Sequence, residues 1–209
     1  MEDVLQVYAR PYDPKRPQVC LDETRKELMS TPNGTLPPKA GRPLRQDYEY
    51  TRNGSVSLFL WLEPLAGRRE VHVTQRQTGH ELAEVLRHLV EEAYPEAEKI
   101  VLVTDNLSTH RPDCLYKRFP PERAFGIAQK IEWHYTPEHG SWLNIAECEF
   151  SVLTRQCLDR RIPDVATLEC EVEAWQTDRN QAKPKVDWRF TTEDARIKLK
   201  RLYPVFKEQ

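Results

Sequence analysis

Two aspartates stand where apolar runs end. Asp22 follows Val19-Cys20-Leu21, and Asp105 follows Val101-Leu102-Val103-Thr104. In sheets covered by helices, ligand and catalytic groups gather at strand ends. A single aspartate there can equally cap the next turn, so it is the pair that carries meaning. Carboxylates on neighbouring strands repel unless a proton or a cation is shared between them. Hard divalent cations such as Mg²⁺ take oxygen ligands and keep waters for phosphate oxygens. A third carboxylate would complete such a centre. Trp142, Ala146, Phe150, Leu153 and Cys157 recur at helical spacing, and Glu147 and Glu149 flank that stripe on opposite sides. The period does not choose between them.

The elements that must position these groups follow from pattern. Residues 1–17 hold Pro11, Pro14 and Pro17 after a short amphipathic opening and read as a linker. Gln18–Leu21 is a short strand, and residues 30–47, with Lys39, Arg42 and Arg45 among prolines and glycines, form a long basic loop. Residues 47–62 read as a hairpin turning at Asn53-Gly54, because Asn-Gly supplies the positive φ of a two-residue turn. Arg69–Gln75 alternates as a third strand. Thr78–Tyr94 has helical periodicity, Ile100–Val103 is a strand buried on both faces, and 111–131 holds one or two short helices. After a strand at Ile131–Tyr135, Ser141 is placed to cap a helix reaching about Arg160, with further helices near 165–180 and 192–202. The order β-β-β-α-β-α-β-α-α describes an α/β domain, a mixed sheet with helices on its faces, over residues 18–209.

Bulk properties bound the function. The chain has 209 residues, 31 Lys+Arg against 33 Asp+Glu, and a net charge of −2. Mean hydropathy is −0.73. Such a balance marks neither a basic nucleic-acid binder nor an acidic tail. By segment it is uneven: 77–100 is acid-rich, whereas the C-terminal stretch with Lys198, Lys200 and Arg201 and the cluster Lys117, Arg118 are basic. Cys20, Cys114, Cys148, Cys157 and Cys170 form no CxxC pair and read as free thiols of a reducing compartment. His134, His139 and Cys148 lack the pairing of a zinc site. The most apolar run, Val56–Leu62, is far short of a membrane span, and the acidic N-terminus is no signal peptide. A soluble cytosolic protein without membrane contact is expected.

Three strings in order, Val19-Cys-Leu-Asp-Glu-Thr24, Leu102-Val-Thr-Asp-Asn-Leu-Ser-Thr-His110 and His134-Tyr-Thr-Pro-Glu-His-Gly-Ser-Trp-Leu-Asn-Ile-Ala-Glu147, resemble mariner-like DDE transposases of bacterial insertion sequences. The resemblance implies a ribonuclease-H-like fold and a catalytic trio of Asp22, Asp105 and Glu147 holding two Mg²⁺ or Mn²⁺ ions. It selects Glu147 over Glu149 and makes Asn144 part of the same motif. It also implies nicking of transposon ends by water, joining of the 3′-OH to target DNA, and work as a homodimer on paired ends. Glu23, Asn106 and His110 are expected beside the trio. Lys39, Arg42, Arg45, Lys117, Arg118, Lys198, Lys200 and Arg201 are expected on DNA phosphates, with Trp142 stacking on a base. Residues 1–17 cannot form the helix-turn-helix module that such transposases carry, so the chain is expected to be one product of a split gene, with a separate helix-turn-helix polypeptide recognising the ends, a truncated copy, or an excised domain. The alternative is a truncated, non-catalytic fragment that binds DNA or full-length partners and regulates transposition.

Overall fold

The computed structural model describes residues 1–203 except 44, 47, 108, 109 and 139, and also leaves the side chains of 35, 45 and 46 undescribed. The order is α1 (Glu2–Tyr8), β1 (Gln18–Ser30), β2 (Thr35–Leu36), β3 (Arg45–Gln46), β4 (Thr51–Glu63), β5 (Arg68–Thr74) and α2 (Gly79–His88). There follow β6 (Ile100–Thr104), α3 (Asp113–Arg118), α4 (Pro121–Lys130), β7 (Ile131–Tyr135), α5 (Ile145–Leu153), α6 (Val165–Ala182) and α7 (Thr192–Lys198). Five strands form one sheet, ordered β5-β4-β1-β6-β7. β4 is antiparallel to both β5 and β1, and β6 runs parallel to both β1 and β7.

Period-two alternation divides the core in two. Cys20, Leu58, Leu60, Val101 and Val103 pack with α1, α5, α6 and α7 on one face. Leu21, Phe59, Trp61, Ile100 and Leu102 pack with α2, α3 and α4 on the other. Strands buried on both faces read as continuous apolar runs, as Val56–Leu62 and Ile100–Val103 do.

Three local expectations are corrected. The opening residues are core, not linker: Val4 and Val7 are fully buried, and the Tyr8 hydroxyl donates to the Leu143 carbonyl at 2.6 Å. Asn53-Gly54 makes no turn. It lies inside β4, where pairing passes from Glu27–Ser55 to Met29–Arg52, so two residues oppose Leu28 alone. That is a bulge, and Gly54 takes φ +100° there. The chain turns instead at Gly67 (φ +68°), where a Cβ would come within 2.6 Å of the Lys183 carbonyl oxygen. Finally, Ser141 begins a 3₁₀ turn, Ser141–Leu143, and Asn144 caps α5, its side chain accepting from the Ala146 amide. Thr78 caps α2 in a capping box with Glu81.

Candidate active site

Strand register sets the first two carboxylates level. Cys20 pairs with Val103 across the parallel β1–β6 ladder, so Asp22 and Asp105, each two residues on, leave the ladder side by side. Asp22 shares the parity of Cys20 and faces the layer that holds α5. The third carboxylate is brought in by Asn144, which is buried. Its Nδ2 donates to the Leu21 carbonyl at 3.0 Å while its Oδ1 caps α5, tying the start of that helix to the residue before Asp22. Glu147 lies in the first turn of α5.

Asp22 records their proximity. Burial first, then the negative charges of Glu23, Asp105 and Glu147, push its carboxyl up to about 7, although its Oδ1 accepts the Glu23 amide at 2.8 Å. The oxygens of the trio do not all lie within 4.8 Å of one another. Asp105 is held by a partner of its own, since its Oδ1 contacts His110 Nδ1 and accepts the Leu107 amide at 3.3 Å. His110 is buried between two acids, with Nε2 2.7 Å from Glu23 Oε2. Burial disfavours the charged ring, but its contacts with Asp105 and Glu23 outweigh that and hold its pKa at about 10. An imidazolium thus clamps Asp105 against Glu23, whose other oxygen accepts from Gln77 at 2.8 Å.

Glu149, the other candidate on α5, is used differently. It is buried against Arg69 at 2.8 Å and Arg179 at 2.9 Å, which ties α5 to β5 and α6. Sequence reasoning missed this cluster because its partners are 80 and 30 positions away. Asn106 is exposed at the end of β6.

The expected DNA-facing groups separate into kinds. Lys39, Arg42, Lys200 and Arg201 are exposed. Lys117 is paired with Asp113 at 2.7 Å, Arg118 with Glu84 at 2.6 Å, and Lys198 with Asp194 at 2.8 Å. The Arg45 side chain lies outside the described residues. Trp142 is 42% exposed and stacks on Trp188 with centroids 6.4 Å apart, edge-on to Phe190. A cavity of about 510 Å³ between β5, α2 and α6 and another of about 720 Å³ along α6 are lined by none of the three carboxylates. All five cysteines are free thiols, and among the described residues no helix is long and apolar enough to cross a membrane.

The family model described as DDE superfamily endonuclease matches residues 17–169. The chain belongs to that family. The matched segment of this DDE domain contains Asp22, Asp105 and Glu147 and stops inside α6. No curated protein matches the chain. Among solved structures it is similar to the Mos1 strand transfer complex, at 12% identity and TM-score 0.50, covering 87% of this chain and 55% of that one. The HTLV-2 integrase catalytic core domain in complex with magnesium is also similar, at 10% identity and TM-score 0.44, covering 84% and 86%. The fold of the DDE domain is ribonuclease-H-like, a mixed five-stranded sheet flanked by helices that is shared with the Mos1 structure.

Proposed function

We propose that this DDE domain is the catalytic part of a DNA transposase, nicking transposon ends by hydrolysis and joining the freed 3′-OH to target DNA. One observation carries the reading: carboxylates from β1, the end of β6 and the first turn of α5 gather about Asp22, whose carboxyl is pushed up to about 7 by burial first and then by these negative charges. Such crowding costs stability unless positive charge offsets it, and three oxygen donors suit a hard divalent cation. Asp22, Asp105 and Glu147 would hold two Mg²⁺ or Mn²⁺ ions, which when bound activate the attacking oxygen and stabilise the leaving one. The remaining residues position this trio. Asn144 fixes α5 against β1, and His110 holds Asp105 in place through Glu23.

Lys39, Arg42, Lys200 and Arg201 supply exposed cations for phosphates, contacts that place DNA without reading its sequence. Arg45 belongs with them by sequence. Lys117, Arg118 and Lys198 would exchange carboxylate partners for phosphates, and Trp142 would leave Trp188 to stack on a base. Pairing of two transposon ends calls for a homodimer, and recognition of those ends calls for a helix-turn-helix module. The likeness of fold to the Mos1 strand transfer complex supports the strand-transfer reading.

The test is strand cleavage of duplexes carrying the element's own ends, with MgCl₂ or MnCl₂. Asp22→Asn, Asp105→Asn and Glu147→Gln should each bring nicking to background while the fold is retained. Full metal-dependent cleavage by any one of them would overturn the assignment.

A further inference from the structure

On the opposite face of the sheet from Asp22, β5 and the last turn of α2 bring together Glu70, His72 and His88. Glu70 and His72 are two apart on a strand and share a face. His72 pairs across the ladder with Phe59, which belongs to the α2-side core. We propose that these three side chains form a second metal site, distinct from the carboxylate trio, that takes a transition-metal ion of the Zn²⁺ class.

The geometry is that of ligands awaiting an ion. One ligand atom from each of the three lies within 4.8 Å of the others. Glu70 Oε1 is 2.9 Å from His88 Nε2 and 3.4 Å from His72 Nε2. Bonds of about 2.0–2.1 Å at tetrahedral angles place ligand atoms roughly 3.3 Å apart. His72 Nε2 is buried and has no hydrogen-bond partner, a cost that ligation removes. The other nitrogen of His88 contacts Glu92 Oε2 at 3.1 Å. Donating its Nδ1–H to a carboxylate there fixes the tautomer that leaves the Nε2 lone pair for a metal. His72 and His88 both line the cavity of about 510 Å³, from which water can complete the coordination. Two imidazoles and one carboxylate select zinc-like ions, whereas Mg²⁺ prefers oxygen alone. A bound ion would fasten α2 to β5, the edge strand of the sheet.

The test uses the full chain, stripped with chelator and titrated with CoCl₂ as a spectroscopic probe for the zinc-type site. One equivalent should develop visible d–d absorption, survive millimolar MgCl₂ and persist in Asp22→Asn. His72→Gln and His88→Gln should abolish it with circular dichroism unchanged, and Glu92→Gln should weaken binding about 10-fold or more. Absence of the band, its survival in both histidine variants or its loss in Asp22→Asn would overturn the proposal. X-ray absorption of the zinc-loaded wild type gives an answer that no variant's folding can obscure. Two imidazole ligands support the site, and an all-oxygen shell refutes it.

Discussion

Removing the charge of Asp22 should stabilise the protein when no cation is bound. The carboxyl rises from an ordinary 3.8 to about 7, chiefly through burial and then through neighbouring acids. Its folded value lies above its unfolded one, so the fold favours the protonated form. That contribution is complete below about pH 4 and is lost as pH climbs through about 7. The rise corresponds to a ceiling of about 4 kcal/mol. Asn keeps an oxygen to accept the Glu23 amide, the bond Asp22 makes at 2.8 Å, so packing is conserved. Allowing for relaxation of the neighbours and the polar cost of Asn itself, the gain at pH 8 should be about 2–3 kcal/mol. For a chain of this size that is on the order of 5–10 °C in Tm. Thermal unfolding by circular dichroism in EDTA at pH 4 and pH 8 reads it directly. Wild type should weaken relative to Asp22→Asn over that window, and MgCl₂ should recover the difference for wild type alone. An Asp22→Asn protein no more stable than wild type at pH 8 would show that neither burial nor the neighbouring acids disfavour the Asp22 charge.

Three further outcomes are expected. Glu149→Gln strips Arg69, which is fully buried, of its main counter-charge and should cost about 3–5 kcal/mol in urea unfolding, whereas Glu147→Gln should stop nicking with little loss of stability. Asn144→Ala removes both a helix cap and the donor to the Leu21 carbonyl, a loss of about 1–3 kcal/mol; Asn144→Asp should restore the cap without that donor and recover only part of it. Replacing Lys200 and Arg201 together by Ala should lower the slope of log binding constant against log salt for duplex DNA by about 2, measured by fluorescence anisotropy.

What could be read in the sequence was whatever depends on local period and residue type. The strand at Ile100–Val103, the helix from Thr78 and the strand-end position of Asp105 needed only near neighbours. The errors arose where distant packing overrode a local signal. Asn53-Gly54 carries turn chemistry, yet β1 continues opposite it to Ser30 and absorbs the pair as a bulge. The opening helix is short and followed by prolines, and only the hydrophobic face shared by α5 and α7 makes it core. Glu147 and Glu149 could not be separated by period, because the difference is that Arg69 and Arg179 converge on one of them. His110 was visible as a residue near Asp105, but not as a clamp, since its second partner, Glu23, comes from another strand.

The same contacts change the meaning of the nearly neutral charge. The segment 77–100 is acid-rich, but much of its charge is answered locally. Arg118 meets Glu84, Arg123 meets Glu91 at 2.9 Å, and Arg87 bridges Glu84 and Glu92. That face therefore presents a lattice of ion pairs to solvent and repels phosphate less than its composition suggests. Arg118 of α3 and Arg123 of α4 are held in the same lattice, so they attract phosphate less than their charge suggests. Exposed Lys39 and Arg42 on one side of the chain and Lys200 and Arg201 near its C-terminal end then carry more of any DNA attraction than a count of basic residues implies. A net charge of −2 is compatible with DNA binding on these terms, because association depends on which cations remain open to phosphate rather than on their sum.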